Sequence, residues 1–360
     1  LSAPGAQTPA RERLEAALTA AWLRRGPLAC ALWPVSLVYR AVIALRRLAY
    51  RLRLAGSVRL DRPVVVVGNR IAGGAGKTPT VMALLAHLQA QGWRPGVISR
   101  GHGRAARGLV AVTAGTPPRA CGDEPLLIRL RSGAPTVVGA DRVAAARALL
   151  VAYPEVDVLV SDDGLQHLRL HRDVEVVVFD ARGAGNGWLL PAGPLREPLN
   201  TPSGAATSLL LYNAASPSTA LSGFAARRGL GGAVALGEWW RGEPATADCL
   251  AALRDRPLLA CAGIAQPQAF FSLLRAHGLS IETQALADHA DFTALPWPAE
   301  APDVIVTEKD AVKLPIERLS RERAATRVWV APLDFLPEPA FLAALDAALA
   351  PHRRSRRAGG

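Results

Sequence analysis

The sequence predicts an α/β fold centred on a parallel sheet, on three observations. Short, largely apolar runs such as Val64-Val65-Val66-Val67 and Val174-Glu175-Val176-Val177-Val178-Phe179 recur between segments of helical length. That is the pattern of strands buried on both faces. A glycine-rich turn, Gly73-Gly74-Ala75-Gly76-Lys77-Thr78, separates the first run from a helix expected from about Thr78 to Gln91. A third run, Val156–Val160, leads into the acid pair Asp162-Asp163.

Strand, glycine turn and helix in that order form a phosphate-binding loop, so the main domain, placed at residues 61–245, is P-loop NTPase-like. Ligands of such sheets collect at the carboxyl ends of the strands, where the glycine turn and the acid pair both lie. Gly96–Ser99 reads as a further strand, and Leu199–Ala220 as loop around one short strand, Leu209–Leu211. A smaller α/β domain is expected at 246–350, from strands at 257–264, 303–307 and 327–330 and a helix at Gln268–His277.

Residues 1–60 form an N-terminal segment of different character. The apolar stretch 26–39 is interrupted by Arg40 and ended by Arg46-Arg47, short of the ~18–20 unbroken apolar residues of a membrane span. Glu12 and Glu15 precede it, which is unlike a signal peptide. From Val38 the residues Val38, Ala41, Val42, Leu45, Leu48, Ala49 and Leu52 recur at helical steps, edged by Arg40, Arg47 and Arg51. An apolar stripe bordered by arginines, with Trp33 and Tyr39 nearby, describes a membrane-interface helix. A helix packed on the protein's own core is the other reading.

The chain has 360 residues and a net charge of +12, part of it in a basic tail at 351–360. Only three lysines occur, Lys77, Lys309 and Lys313. In a chain that otherwise uses arginine, a retained lysine marks a need for a compact point charge. The positive balance fits nucleic acid, an anionic membrane surface or a phosphorylated substrate. Stacking aromatics interleaved with basic residues are missing, so no nucleic-acid partner is expected. No obligate protein partner is evident either. Cys30, Cys121, Cys249 and Cys261 have neither metal-ligand nor disulfide spacing, which suits a reducing, cytosolic-side location.

The backbone amides of Ile71, Ala72, Gly73, Gly74, Ala75 and Gly76 are the expected phosphate cradle, with Lys77 reaching the β- and γ-phosphates and Thr78 ligating Mg²⁺. Ile71 stands where the strict pattern has glycine. Asp162 and Asp163, with Gln166 close by, are the expected acidic partners of the metal; a turn or helix cap is the alternative. Gly122-Asp123-Glu124-Pro125 is either a helix start or the source of a general base. Arg196, in the proline-stiffened run Leu189–Pro198, is a candidate phosphate clamp. Asp288-His289 and Thr307–Lys313 are further polar clusters of the smaller domain.

Taken together these segments resemble the tetraacyldisaccharide 4′-kinase family, the lipid A 4′-kinases of Gram-negative bacteria. The matching strings run in order from about residue 26 to 315, and Asp162-Asp163-Gly164-Leu165-Gln166-His167 and Leu190–Pro198 are highly specific. The resemblance implies transfer of the ATP γ-phosphate to the 4′-hydroxyl of a tetraacyldisaccharide 1-phosphate, giving lipid IVA. It implies Asp123 as catalytic base, His289 as the residue that orients it, and Lys77 and Arg196 as stabilisers of phosphoryl charge. Thr78, Asp162, Asp163 and Gln166 would surround Mg²⁺, and Arg100 and Arg142 would face the lipid 1-phosphate or the nucleotide. The enzyme would sit on the cytoplasmic face of the inner membrane, peripheral or monotopic. His102, Ile71 and Ala265-Gln266 depart from the family pattern. Two rival classes are a P-loop GTPase or metallochaperone ATPase acting as a switch, and a nucleic-acid-binding ATPase.

Overall fold

The computed structural model describes residues 17–214, 216–288, 290–314 and 316–358. The first part of the chain supplies β1 (Val64–Gly68), β2 (Pro95–Ser99), β3 (Val110–Val112), β4 (Thr136–Val138), β5 (Val158–Asp162), β6 (Val174–Asp180), β7 (Thr207–Asn213) and β8 (Phe224–Leu230). Then follow β9 (Val234–Ala235), β10 (Leu258–Ala262), β11 (Ile281–Ala285), β12 (Asp303–Val306), β13 (Arg327–Val330) and β14 (Leu333–Pro337). They form two sheets, ordered β14-β8-β7-β6-β1-β5-β2-β4-β3 and β11-β10-β12-β13-β9.

From β8 to β4 the larger sheet is parallel, and its middle strands are buried on both faces, as their valine runs require. Antiparallel β3 and β14 close its edges. The helices that matter for the site are α1 (Pro27–Arg51), α2 (Lys77–Ala90), α3 (Asp123–Ser132), α4 (Arg142–Ala152), α5 (Pro267–Ala276), α6 (Glu308–Ala311) and α7 (Pro339–Ala358). α2 buries Val81, Leu84, Leu85 and Leu88 against Val65, Val67 and Val97 of the sheet.

The chain leaves the larger sheet at Gly231-Gly232 and returns at Ala331-Pro332, so the smaller sheet draws on residues 234–330. The structure thus divides the chain differently from the expected 246–350. β14 and α7 belong with the first domain, because Phe335, Phe341, Leu345 and Leu349 share one core with α2. The expected tail from residue 351 is the end of α7, and Arg353 lies over the Trp93 ring at 5.1 Å. The strand expected at Leu209–Leu211 extends over Thr207–Asn213.

The N-terminal helix begins at Pro27, well before the periodic pattern at Val38, and tolerates Pro34 within it. At ~1.5 Å per residue its 25 residues span roughly 38 Å. By length and composition alone it could cross a membrane. Its inward residues, Ala29, Leu32, Ser36, Tyr39, Ile43 and Arg47, follow steps of three and four. Ser36 donates to the Leu189 carbonyl (2.9 Å), Tyr39 to the Arg196 carbonyl (3.1 Å) and Arg47 to Glu197 (2.8 Å). The opposite face leaves Val38, Val42 and Leu45 65%, 59% and 70% exposed. One stripe therefore docks on the proline-rich loop, and the apolar stripe read from the sequence faces outward.

Candidate active site

Parallel alignment brings the ends of β1, β2, β5, β6 and β7 to one rim of the larger sheet. The register pairs Val67 with Asp162, which sets the acid pair beside the start of the glycine loop. The loop needs its glycines: Gly73 and Gly76 have φ of 88° and 90°, the left-handed region closed to most side chains. A Cβ at Gly76 would also collide with the Asn213 amide.

The first two residues of the expected Ile71–Thr78 cradle are engaged with the rest of the protein. Ile71 is fully buried in the core and bridges to Leu195, and the Ala72 amide already donates to the Pro194 carbonyl at 2.7 Å. Those two residues anchor the loop just ahead of Gly73. Lys77 opens α2 at the loop's end, and Thr78 is buried beside it.

Two cationic groups meet at Asp163. The Lys77 ammonium stands 3.6 Å from Oδ1, and Arg196 Nη1 donates to Oδ1 at 3.1 Å and to Gln166 Oε1 at 3.4 Å. Lys77 also donates to Asn69 Oδ1 at 3.4 Å, while the Asn69 carbonyl accepts from Gln166 (3.3 Å). Asp163 itself has φ of 47°, an unusual conformation for a residue other than glycine and one that clusters at functional sites. Burial pushes its carboxyl up, but Lys77 and Arg196 outweigh burial and hold it below the ordinary range.

Asp162 differs from its neighbour. It is completely buried, and Ser99 donates to Oδ2 at 3.2 Å while Oδ1 has no hydrogen-bond partner. Burial first, then the charges of Glu124 and Asp163, push it up to about 7. A buried carboxylate with an orphaned oxygen, beside two further acids, is a place that lacks positive charge. The residues present therefore fit a divalent cation. Among the described residues no three His, Cys, Asp or Glu side chains converge on one point. That suits Mg²⁺, which takes one or two carboxylates and completes its shell with water and phosphate oxygens.

Asp123 is the first residue of α3, half-buried, immediately after Gly122 in a conformation (φ 95°, ψ 150°) that suits glycine. Glu124 beside it lines a cleft of about 890 Å³, open mouth included, between the two domains. One wall is Gly74–Thr78 with Met82; the other is Ile264–Gln266 and Thr307–Lys309 from the smaller domain. His289 lies outside the described residues. Arg142, grouped from sequence with the ligand-facing arginines, is buried, and it donates to the carbonyls of Gly139 (3.0 Å), Ala140 (3.2 Å) and Asp163 (3.5 Å). It holds the acid turn from behind, whereas Arg100 is exposed.

Sequence reading missed the residues that hold the loop from other strands. Arg182 pairs with Asp180 at 2.8 Å and donates to the Gly74 carbonyl at 3.1 Å. Arg228 donates to Asn213 Oδ1 (2.6 Å), and Asn213 in turn to the Ala75 carbonyl (3.1 Å). Strand ends carrying a polar residue, as Asp180 and Asn213 do, are the only local signal they leave.

A family model described as tetraacyldisaccharide-1-P 4′-kinase matches residues 28–350. A tetraacyldisaccharide 4′-kinase of Methylibium petroleiphilum is 70% identical over 351 residues, 98% of this chain and 98% of that protein. One of Leptothrix cholodnii is 57% identical, covering 95% of this chain and 98% of its own length. The fold matches a crystal structure of LpxK from Aquifex aeolicus in complex with ATP, with a TM-score of 0.74 and 26% identity over 90% of this chain and 99% of that one.

Proposed function

The chain belongs to the tetraacyldisaccharide-1-phosphate 4′-kinase family, and we propose how its residues perform that family's reaction. The reaction passes the γ-phosphate of ATP to the 4′-hydroxyl of a tetraacyldisaccharide 1-phosphate, giving lipid IVA in lipid A biosynthesis. The observation that carries our reading is the convergence of Lys77 and Arg196 on Asp163, with Gln166 accepting from the same Arg196, at the foot of a glycine loop that opens into the interdomain cleft.

Phosphoryl transfer asks mainly for positioning and charge neutralisation. The amides of Gly73–Gly76 and the start of α2 receive the phosphate chain. Lys77 and Arg196 exchange their contacts with Asp163 for the γ-phosphate oxygens, where charge accumulates in the transition state. Thr78, Asp162, Asp163 and Gln166 would hold Mg²⁺, which would supply neutralisation of phosphate charge. Asp123, at the head of α3, accepts the proton of the attacking hydroxyl. The walls of the cleft, contributed by both domains, keep bulk water from competing for the phosphoryl group.

The outward apolar face of α1 rests in the headgroup region of the cytoplasmic leaflet of the inner membrane, so the acyl chains of the substrate stay in the bilayer. Its docked face is fastened through Ser36, Tyr39 and Arg47 to the loop carrying Arg196, which favours lying on the surface over spanning.

The test is incubation with γ-labelled ATP and the disaccharide 1-phosphate. Label should enter the lipid as a 4′-monoester. ATP hydrolysis at the same rate without lipid, and no labelled lipid with it, would point to a switch ATPase instead.

A further inference from the structure

We infer that Glu308 and Lys309 are positioning residues: from the smaller domain they grip α3 at two points and so set where Asp123 stands. The inference rests on the reading of Asp123 as base and adds the means by which it is placed.

The inner point is Lys309. Its ammonium lies 3.4 Å from Glu124 Oε1 and 3.1 Å from Asp288 Oδ1, with side-chain exposure of only 18%. Burial alone would lower its pKa, yet Glu124 and Asp288, with a smaller share from Asp123, raise it. A desolvated ammonium is tolerated here because carboxylates from both domains surround it, which holds only while the domains keep this arrangement. The outer point is Glu308. Its Oε1 accepts from Arg131 at 2.8 Å and from the Trp239 indole at 2.9 Å, and its side chain is 5% exposed. Glu124 and Arg131 stand seven residues apart, two turns along one face of α3. Two neighbouring residues of one domain therefore seize one face of a helix of the other.

The same turn is part of the nucleotide cleft, since Thr307, Glu308 and Lys309 all line it. Asp310 ties that turn to the other cleft loop, accepting from Thr307 Oγ1 at 2.7 Å and from the Gly263 amide at 3.1 Å. A nucleotide that fills the cleft fixes the turn, the turn fixes α3, and α3 begins with Asp123. The grip thereby couples ATP occupancy to the placement of the base without touching the reacting atoms.

Arg131 supplies the test, because it does not line the cleft and is 37% exposed. Arg131→Met should lower kcat by between about 10- and 100-fold, the range for a group displaced by up to ~1 Å, with KM for ATP changed less than about twofold. Glu308→Gln in the same chain removes the stranded buried charge and keeps an acceptor for Trp239. This double variant should hold its unfolding midpoint and show the same kcat loss. Lys309→Met should reproduce the loss and Lys309→Arg should largely restore activity. Combining Arg131→Met with Lys309→Met should add little, as for two contacts on one element.

A folded Arg131→Met/Glu308→Gln enzyme with kcat within about twofold of wild type overturns the grip. So does Lys309→Met raising KM for ATP at unchanged kcat, which would make Lys309 a nucleotide ligand. Asp123→Ala separates the two readings. Near-full activity in that variant defeats the base, whereas a full further loss on adding Arg131→Met to it defeats the route through Asp123.

Discussion

Tyr39 donates its phenol hydroxyl to the backbone carbonyl of Arg196 at 3.1 Å, and the guanidinium of that same arginine reaches Asp163 at 3.1 Å. The exposed N-terminal helix is thus one residue removed from the carboxylate cluster. Ser36 and Arg47 fasten the same loop on either side.

Tyr39→Phe should loosen this loop while leaving the helix packed. Loss of one such bond costs about 1 kcal/mol, enough to spread Arg196 over several positions. The expected result is a severalfold fall in kcat with little change in KM for ATP, measured by steady-state kinetics. An unchanged kcat would show that the tether does not serve the arginine.

Asp123→Ala should cut turnover by at least ~10²-fold at saturating ATP and lipid, the range for a lost general base. Single-turnover rates would assign the loss to the chemical step. A deficit under about tenfold would move proton transfer to another group.

Asp162 gives a pH dependence. Its folded value of about 7 lies above the ordinary carboxylate range because of burial, with Glu124 and Asp163 adding to it. Between that range and about 7 the folded state holds a proton the unfolded chain has released. Stability without divalent cation is therefore fully present below the ordinary carboxylate range and falls as pH rises through 7. In chelator, the unfolding midpoint should drop between about pH 5 and about pH 7, by at least about 2 °C, and Mg²⁺ with ATP should reverse the drop. Asp162→Asn should flatten the profile and be inactive. An equally steep profile in that variant would assign the effect elsewhere.

Replacing Val38, Val42 and Leu45 together with aspartate should release the protein from anionic vesicles without unfolding it, since all three side chains are mostly exposed. Sedimentation with vesicles is the readout. Undiminished binding would remove the helix from the membrane contact.

The parts legible in the sequence are those whose chemistry is contiguous. The glycine loop states its own backbone geometry, and Asp162-Asp163 follows an apolar strand, so both could be placed on a parallel sheet. Arg182, Arg228, Asn213 and Ser99 reach the site from separate strand ends, and no spacing announces that. Arg142 was legible as a motif residue but not as a buried one, because its partners are backbone carbonyls. The return of β14 and α7 to the first domain was hidden in the same way. Phe341, Leu345 and Leu349 form a helical stripe, but Pro351 and the arginines after it disguised the helix as a tail. The grip of Glu308 on Arg131 joins residues 177 apart in the chain.

The account depends most on Lys77, whose ammonium waits between Asn69 and Asp163 below the glycine loop. Calorimetric titration of ATP with Mg²⁺ into wild type and Lys77→Ala tests it most directly. Wild type should bind one ATP per chain, and Lys77→Ala should keep its unfolding midpoint yet lose most of that affinity and all turnover. Equal affinity and near-normal turnover in the variant, or no ATP binding by folded wild type, would contradict the assignment of this loop.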